Sequence, residues 1–160
     1  DGLNWSEWAT PRNLSIQSLI ETNLIVDFIN FGLLEMGQQQ NTSDDDPSPL
    51  IIENTGNAEL NISINFTDIF TSEPNPSPFY QFLIRQEPGC MFEEQTQTTW
   101  INAPSITAHA INRLNFTSGY QEGCSNATID IHVEAPPSEP PGNKTSIITF
   151  ISSLAEPKVS

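Results

Sequence analysis

Apolar and polar residues alternate with a period of two over several short stretches of the chain, most cleanly in residues 58–66. There Leu60, Ile62, Ile64 and Phe66 occupy every second position, and the residues between them are polar. Successive side chains of a β-strand point to opposite faces of its sheet. This spacing therefore predicts a strand with one face in a core and the other in water.

Seven further stretches have the apolar and β-branched residues of strands, and turn residues separate them. They are residues 13–20, 23–34, 79–86, 96–102, 105–111, 128–134 and 145–154. Residues 23–34 are the most apolar, so we expect a buried strand there with a turn at Gly32. The thirteen prolines lie almost wholly between the stretches, as strands require. The pattern predicts an all-β fold, an antiparallel sandwich of about seven to nine strands formed by residues 21–160 as a single domain.

A segment of different character, residues 1–20, precedes this compact pattern. Trp5 and Trp8 lie there among polar residues, and Leu14 and Ile16 then alternate like the apolar side chains of a strand. We therefore predict an extended N-terminal arm. These four side chains are candidate subunit contacts if the arm is a donor strand for a neighbouring copy. In the alternative, the arm folds onto its own domain as a first strand.

Asparagine supplies the most informative motif of the chain. Eight of the fifteen asparagines open an Asn-X-Ser/Thr sequon without a middle proline, where chance would supply about three. The sequon asparagines are Asn4, Asn13, Asn41, Asn61, Asn65, Asn115, Asn126 and Asn143. The sequon accepts N-linked sugar, which indicates the surface of an exported glycoprotein. In residues 58–66 both sequon asparagines alternate with the apolar residues, so the predicted strand directs glycans away from the core.

Two cysteines, Cys90 and Cys124, complete the picture of an exported chain. In that context we predict one disulfide, which closes a loop of about 34 residues and stabilises the fold by roughly 3.8 kcal/mol. Two free thiols are the alternative. The sequence opens at Asp1 without a signal peptide, so we expect that a signal has been removed. No apolar run has the length of a membrane span.

The charge balance restricts the partners of the protein. Five basic residues stand against twenty acidic ones, which leaves a net charge of −15. Such a field repels nucleic acid and anionic lipid, so we expect neither as a partner.

Two stretches resemble a known class of domain. Residues 51–64 (IIENTGNAELNISI) and residues 133–150 (VEAPPSEPPGNKTSIITF), together with the VDF of residues 26–28, resemble secreted, immunoglobulin-like β-sandwich domains of archaeal cell-surface and filament proteins. In those domains an Asn-Thr-Gly-Asn turn leads into an alternating strand, and a proline-rich turn precedes a last Ser/Thr-rich strand. The resemblance implies a surface-layer, adhesin or filament subunit rather than a catalyst.

No motif for catalysis stands out, and we expect no catalytic residues. His109 and His132 have no characteristic local motif, and Glu93-Glu94 is a carboxylate pair only by being acidic. Residues 44–46 are three consecutive aspartates, which would suit calcium but lack the EF-hand spacing. We therefore predict no metal and no cofactor, with calcium at this loop as the weaker alternative and N-linked glycans as the expected modification.

Tryptophan raises a further alternative, since aromatic faces stack on the apolar faces of sugars. Trp100 lies in a predicted strand, so we expect it in the core rather than in a sugar-binding platform. The sequence thus predicts an extracellular structural subunit that polymerises with copies of itself into a pilus-like filament by strand addition of the arm. A carbohydrate- or cell-binding adhesin or surface-layer domain, which contacts a host or neighbouring cell, is the alternative.

Overall fold

The computed structural model describes residues 17–85, 96–116 and 124–156. These ranges contain nine β-strands and no helix. The strands are β1 (Thr22–Val26), β2 (Gln39–Asn41), β3 (Leu50–Asn54), β4 (Leu60–Phe66), β5 (Tyr80–Arg85), β6 (Ile101–Asn102), β7 (Ala108–Leu114), β8 (Asn126–Glu134) and β9 (Ile148–Leu154). All strand pairs are antiparallel. The predicted all-β sandwich of about nine strands is confirmed.

The strands form two sheets of unequal size. The large sheet has the order β1-β3-β8-β5-β6, and β2 pairs with the second half of β8 on the side that β3 occupies along the first half. The small sheet has the order β7-β4-β9. A three-stranded sheet cannot cover a six-stranded one, so the edges of the large sheet extend beyond the core.

The core lies between β4 of the small sheet and the β3, β8 and β5 strands of the large one. The alternation predicted for residues 58–66 is confirmed, because Leu60, Ile62, Ile64 and Phe66 are buried and the residues between them are half-buried. Phe66 meets the ring of Tyr80 edge-on, with centroids 5.4 Å apart. Burying each such side chain stabilises the fold by about 1.5–3 kcal/mol.

The expectation of a buried strand in residues 23–34 is wrong. Strand β1 does form there, and Gly32 adopts the positive φ of a turn (67°), but most of the segment is exposed. Leu24 and Ile25 are 40% and 50% exposed, and Leu33 is 89% exposed. The cause is the position of β1 at the uncovered edge of the large sheet, where it pairs only with β3 in the described part of the chain.

The turn after β3 holds the first described residues against the domain. The side chain of Asn57 accepts a hydrogen bond from Leu19 N (2.6 Å) and donates one to Gln17 O (3.1 Å). Gly56 lies under this contact, where a Cβ atom would come 2.2 Å from Leu19 O. Residues 17–20 are therefore irregular, so the predicted strand over 13–20 is wrong for its second half. Residues 13–16 lie outside the described residues.

Candidate functional site

The sequon asparagines in the described residues lie on several sides of the sandwich. Asn61 and Asn65 occupy the outer face of β4, as predicted, and Asn143 is exposed in the loop before β9. Asn115 directly follows β7, and Asn126 begins β8. Asn41 ends β2, and Asn4 and Asn13 lie outside the described residues.

Hydrogen bonds orient several of these amides. Asn41 Oδ1 accepts from Ser43 N (2.9 Å), and Asn61 Oδ1 accepts from Arg113 N (3.1 Å). In both residues the oxygen is engaged and the described residues offer no hydrogen-bond partner to Nδ2, the atom to which an N-linked sugar is attached. The Asn41 bond is an Asx turn, which also brings the backbone of the sequon serine next to the amide.

Cys124 is disulfide-bonded, and the chain has one other cysteine, Cys90, which lies outside the described residues. The predicted subunit contacts Trp5, Trp8, Leu14 and Ile16 also lie outside them. Of the arm, the structure thus describes only the root, residues 17–20, which the Asn57 side chain holds.

Exposed apolar side chains concentrate in one stretch of sequence, which we call the 19–36 surface. Its members are Leu19, Ile20, Leu24, Ile25, Phe28, Leu33 and Met36. None of the eight sequons lies within residues 17–40, although Asn23 and Asn30 are present there. Exposed apolar side chains that gather on a protein surface often mark interaction sites. This stretch is therefore the candidate contact surface.

Two sheet edges lie on the same side of the sandwich as part of this surface. Thr22 Oγ1 of β1 is 3.3 Å from Ser152 Oγ of β9, which brings the outer strands of the two sheets together. Each has only one neighbouring strand in the described ranges. Unpaired strand edges are templates for pairing with another chain.

The hydrogen-bond pattern of β9 tells which of its backbone groups face the free edge. Thr67 N donates to Ile147 O and Ala155 N donates to Glu59 O, both at 3.0 Å. Backbone groups of alternate residues point to opposite sides of an antiparallel strand, so the even-numbered residues face outward. These are Ile148, Phe150, Ser152 and Leu154. The edge thus offers four N–H and C=O pairs in a row.

A row of polar side chains crosses the outer face of the large sheet. The register joins Asn41 to His132, His132 to Gln81, and Gln81 to Asn102 across four strands. Gln81 Nε2 donates to Asn102 Oδ1 at 3.0 Å. The sequence does not predict this pair of amides, because Gln81 and Asn102 lie in two different predicted strands and only the strand order brings them together.

Trp100 lies beside this row, which corrects the expectation that it belongs to the core. Its side chain is 36% exposed, and its ring meets the imidazole of His132 edge-on with centroids 5.8 Å apart. Trp100 precedes β6, a strand of two residues at the sheet edge, so no second layer covers it. Partial burial lowers the pKa of His132 against the smaller opposing effect of Glu134, so the imidazole is neutral at pH 7.

The aspartate loop, residues 44–46, forms an ion pair with the side chain of Arg85. Asp45 Oδ1 accepts from Arg85 Nη1 at 2.7 Å, and the same guanidinium holds the buried Asp130. Three or more metal-ligating side chains do not cluster anywhere in the described residues. The carboxylate of Asp45 therefore serves an ion pair in this structure.

The two histidines lie in different sheets, His109 on β7 and His132 on β8. His132 contacts Trp100, as described above, and buried His109 Nε2 has no hydrogen-bond partner among the described residues. The Glu93-Glu94 pair lies outside those residues.

No helix in the described part of the chain has the length and hydropathy that crossing a membrane requires. Compared with known proteins, the chain matches no family model and no curated protein sequence.

Proposed function

We propose that this protein is an extracellular structural subunit, not a catalyst, which polymerises with copies of itself into a glycosylated, pilus-like filament. The observation that carries the proposal is that sequons and most of the exposed apolar side chains occupy different stretches of the chain. The 19–36 surface has seven large exposed apolar side chains and no sequon, while sequons recur over the rest of the chain. A stretch that has no sequon and exposes leucine and phenylalanine is suited to contact another protein.

Strand addition is the proposed mode of contact. The part of the arm before its root, residues 1–16, pairs with the free edge of β9 in the next subunit, where four outward N–H and C=O pairs are available, while the root stays on its own domain. Leu14 and Ile16 then pack onto apolar side chains beside that edge. A head-to-tail contact of this kind does not close on itself and produces a fibre. It also removes an exposed edge that would otherwise promote aggregation.

The charge of the protein makes assembly dependent on salt. Each copy has a net charge of −15, so neighbouring copies repel one another at low ionic strength. Added salt screens this repulsion over a Debye length of about 10 Å at 0.1 M. We expect filaments to form faster as salt is raised from low concentration, since the proposed contacts are apolar and backbone-mediated.

Negative-stain electron microscopy of purified protein tests the proposal, with matched variants. Leu33→Asp adds a charge to the 19–36 surface at a side chain that is 89% exposed, and Ile106→Asp makes the same change at one that is 77% exposed elsewhere. Both variants should fold, because both side chains already face solvent. We expect filaments from the wild type and from Ile106→Asp, and none from Leu33→Asp. Monomers in every wild-type field, over a range of salt, would overturn the proposal.

Two more variants test strand addition itself. Deletion of residues 1–16 removes all four predicted contact residues of the donor and stops before the root, residues 17–20. Ser152→Pro removes one outward N–H of β9 and leaves the amides that face β4, and edge strands tolerate proline in that orientation. Both should abolish filaments while the circular dichroism of the sheet persists. Filaments at the normal rate from the deletion would mean that the arm folds onto its own domain.

A carbohydrate-binding adhesin is the second candidate, and the exposure of Trp100 beside a row of amides favours it. An indole face stacks on sugar, and amide groups donate to and accept from its hydroxyls. A glycan array tests this candidate. Binding that Trp100→Ala abolishes would support it, and an array without hits would contradict it.

A further inference from the structure

The outer face of the large sheet combines one sugar acceptor with the groups that hold sugars. Asn41 stands directly opposite His132 in the β2–β8 register, and His132 touches Trp100. Neighbouring strands are about 4.8 Å apart, and the rings of His132 and Trp100 are 5.8 Å apart, so one strand spacing and one ring contact separate Asn41 from the indole. The first sugars of an N-linked chain are long enough to bridge that distance.

A local hydrogen bond orients the Asn41 amide. The Asx turn to Ser43 N engages Oδ1, and Nδ2 has no hydrogen-bond partner in the described residues. Asn41 itself is half-buried, at the end of β2, so a sugar attached to Nδ2 starts close to the sheet surface. Its neighbour across the strand is a neutral imidazole, which has one donor and one acceptor for hydroxyl groups.

We propose that an N-linked saccharide on Asn41 lies across the outer face of the large sheet, with its first sugars over His132 and Gln81 and one ring stacked on Trp100. The proposal rests on the export and glycosylation that the proposed function requires. It assigns an intramolecular ligand to an aromatic side chain that the fold leaves uncovered. In this arrangement the glycan is part of the folded surface.

The other sequons of the described residues lack this combination. Asn65 lies on the small sheet, where its Nδ2 is 3.4 Å from Thr107 Oγ1 and the register places Thr149 opposite. No aromatic contact to an exposed ring is present on that face in the described ranges. A glycan there extends into solvent, which makes Asn65 the matched control.

The test measures whether the sequon and the indole stabilise the domain together. Protein is produced in a host that glycosylates it and in bacteria that do not. Ser43→Ala removes the sequon and keeps Asn41, and the variant retains the backbone N–H of residue 43 that bonds to Asn41 Oδ1. In glycosylated protein we expect Ser43→Ala to lower Tm by about 2–4 °C, the shift that one modest contact gives in a domain of this size.

The variant that combines Ser43→Ala with Trp100→Ala measures whether the two residues act together. In glycosylated Trp100→Ala protein, Ser43→Ala should leave Tm unchanged, because the stacking partner is already gone. Asn65→Gln should shift Tm by the same amount with and without Trp100. In bacterial protein, Ser43→Ala should have no effect in either background. Additive effects of Ser43→Ala and Trp100→Ala in glycosylated protein would overturn the proposal.

Two further measurements separate this inference from the proposed function and from external sugar. Peptide mass spectrometry that finds Asn41 unmodified while other sequons are occupied would overturn the inference and leave the filament proposal intact. A glycan array with glycosylated protein distinguishes the source of the sugar. If the Ser43→Ala glycoprotein binds glycans through Trp100 and the unaltered glycoprotein does not, the protein's own glycan normally occupies the indole, which supports the proposal. If the unaltered glycoprotein binds the same glycans equally well, the proposal is contradicted.

Discussion

The guanidinium of Arg85 holds the buried carboxylate of Asp130 at two points, with Nε–Oδ2 at 2.8 Å and Nη2–Oδ1 at 2.6 Å. Thr42 completes the site, because its hydroxyl donates to Asp130 Oδ1 at 2.8 Å and its carbonyl accepts from Arg85 at 3.0 Å. The two hydrogen bonds to Asp130 raise the pKa of Arg85 above its ordinary value. These contacts stabilise the end of the short strand β2 and the aspartate loop against strands β5 and β8.

Asp130→Asn should therefore destabilise the domain strongly. The substitution removes the charge from a side chain that is 2% exposed and leaves the guanidinium partly buried without its main partner. Breaking such a pair costs about 3 kcal/mol. Urea unfolding followed by circular dichroism measures the loss. Asp44→Asn, in the exposed part of the same loop, should change stability by less than about 0.5 kcal/mol, and equal losses in both variants would contradict the assignment.

Gly56→Ala should release the root of the N-terminal segment. A Cβ atom would meet Leu19 O at 2.2 Å, so the backbone of residues 17–20 must move and the Asn57 hydrogen bonds are lost. Overpacking of this kind costs about 1–3 kcal/mol. Limited proteolysis should cut faster in this segment. Asn57→Ala removes the hydrogen bonds without a clash and should accelerate cleavage to a smaller extent. An unchanged rate of cleavage in both variants would contradict the role of Asn57 in holding residues 17–20.

Glu139 should make the domain sensitive to acid. Burial raises the pKa of this carboxyl, but the charge of Lys144 and hydrogen bonds from Ser72 (Oγ at 2.6 Å, N at 2.8 Å) and Thr71 outweigh it, so the pKa lies below its ordinary value. A lowered pKa means that the folded state binds fewer protons than the unfolded one. The stabilisation is full above the ordinary pKa of about 4.3 and is lost as the pH falls below it.

Glu139→Gln tests this linkage through Tm measured from pH 7 to pH 2. The variant should be less stable than the wild type at pH 7, and the two curves should converge at the acid end. Glu35→Gln, at an exposed position, should follow the wild-type curve throughout. A constant difference between Glu139→Gln and the wild type at all pH values would contradict the role of ionised Glu139.

Tyr80 should make the domain sensitive to alkali. Burial raises the pKa of its phenol to about 12, and a hydrogen bond with Ser146 opposes this only in part. The unfolded chain ionises at about pH 10, so stability is lost as the pH rises from there towards 12. Tyr80→Phe should remove this loss at a cost of about 1 kcal/mol at neutral pH for the missing hydrogen bond. Identical alkaline unfolding curves for both proteins would contradict the prediction.

Local pattern was sufficient for much of the fold because a strand's two faces are written in its own residues. Leu60 to Phe66 alternate in the sequence and in the structure, and the sequon asparagines between them lie on the outer face as predicted. Where a stretch lacked alternation, prediction failed. Residues 23–34 are apolar at eight of twelve positions, including the run from Leu24 to Val26, which is typical of a strand buried on both faces, yet β1 lies at an uncovered edge.

The candidate surfaces depended on strand order, which no local pattern contains. Asn41 and His132 are neighbours because β2 pairs with β8, and Trp100 reaches the same row because β6 is a short strand at the opposite edge. Trp100 is expected in the core from its sequence because it lies in a predicted strand, residues 96–102. A prediction of which strands are adjacent would have been needed to find the row.

The sequence by itself determined the class of fold, the two faces of its central strands and the number of sequons, because each depends on residues a few positions apart. Tertiary structure decided which apolar residues stay exposed, which edges lack a neighbour and which polar side chains meet. The physical reason is that exposure depends on what packs above a residue. A small sheet of three strands covers only the middle of a large one, and that difference in size is a property of the whole chain.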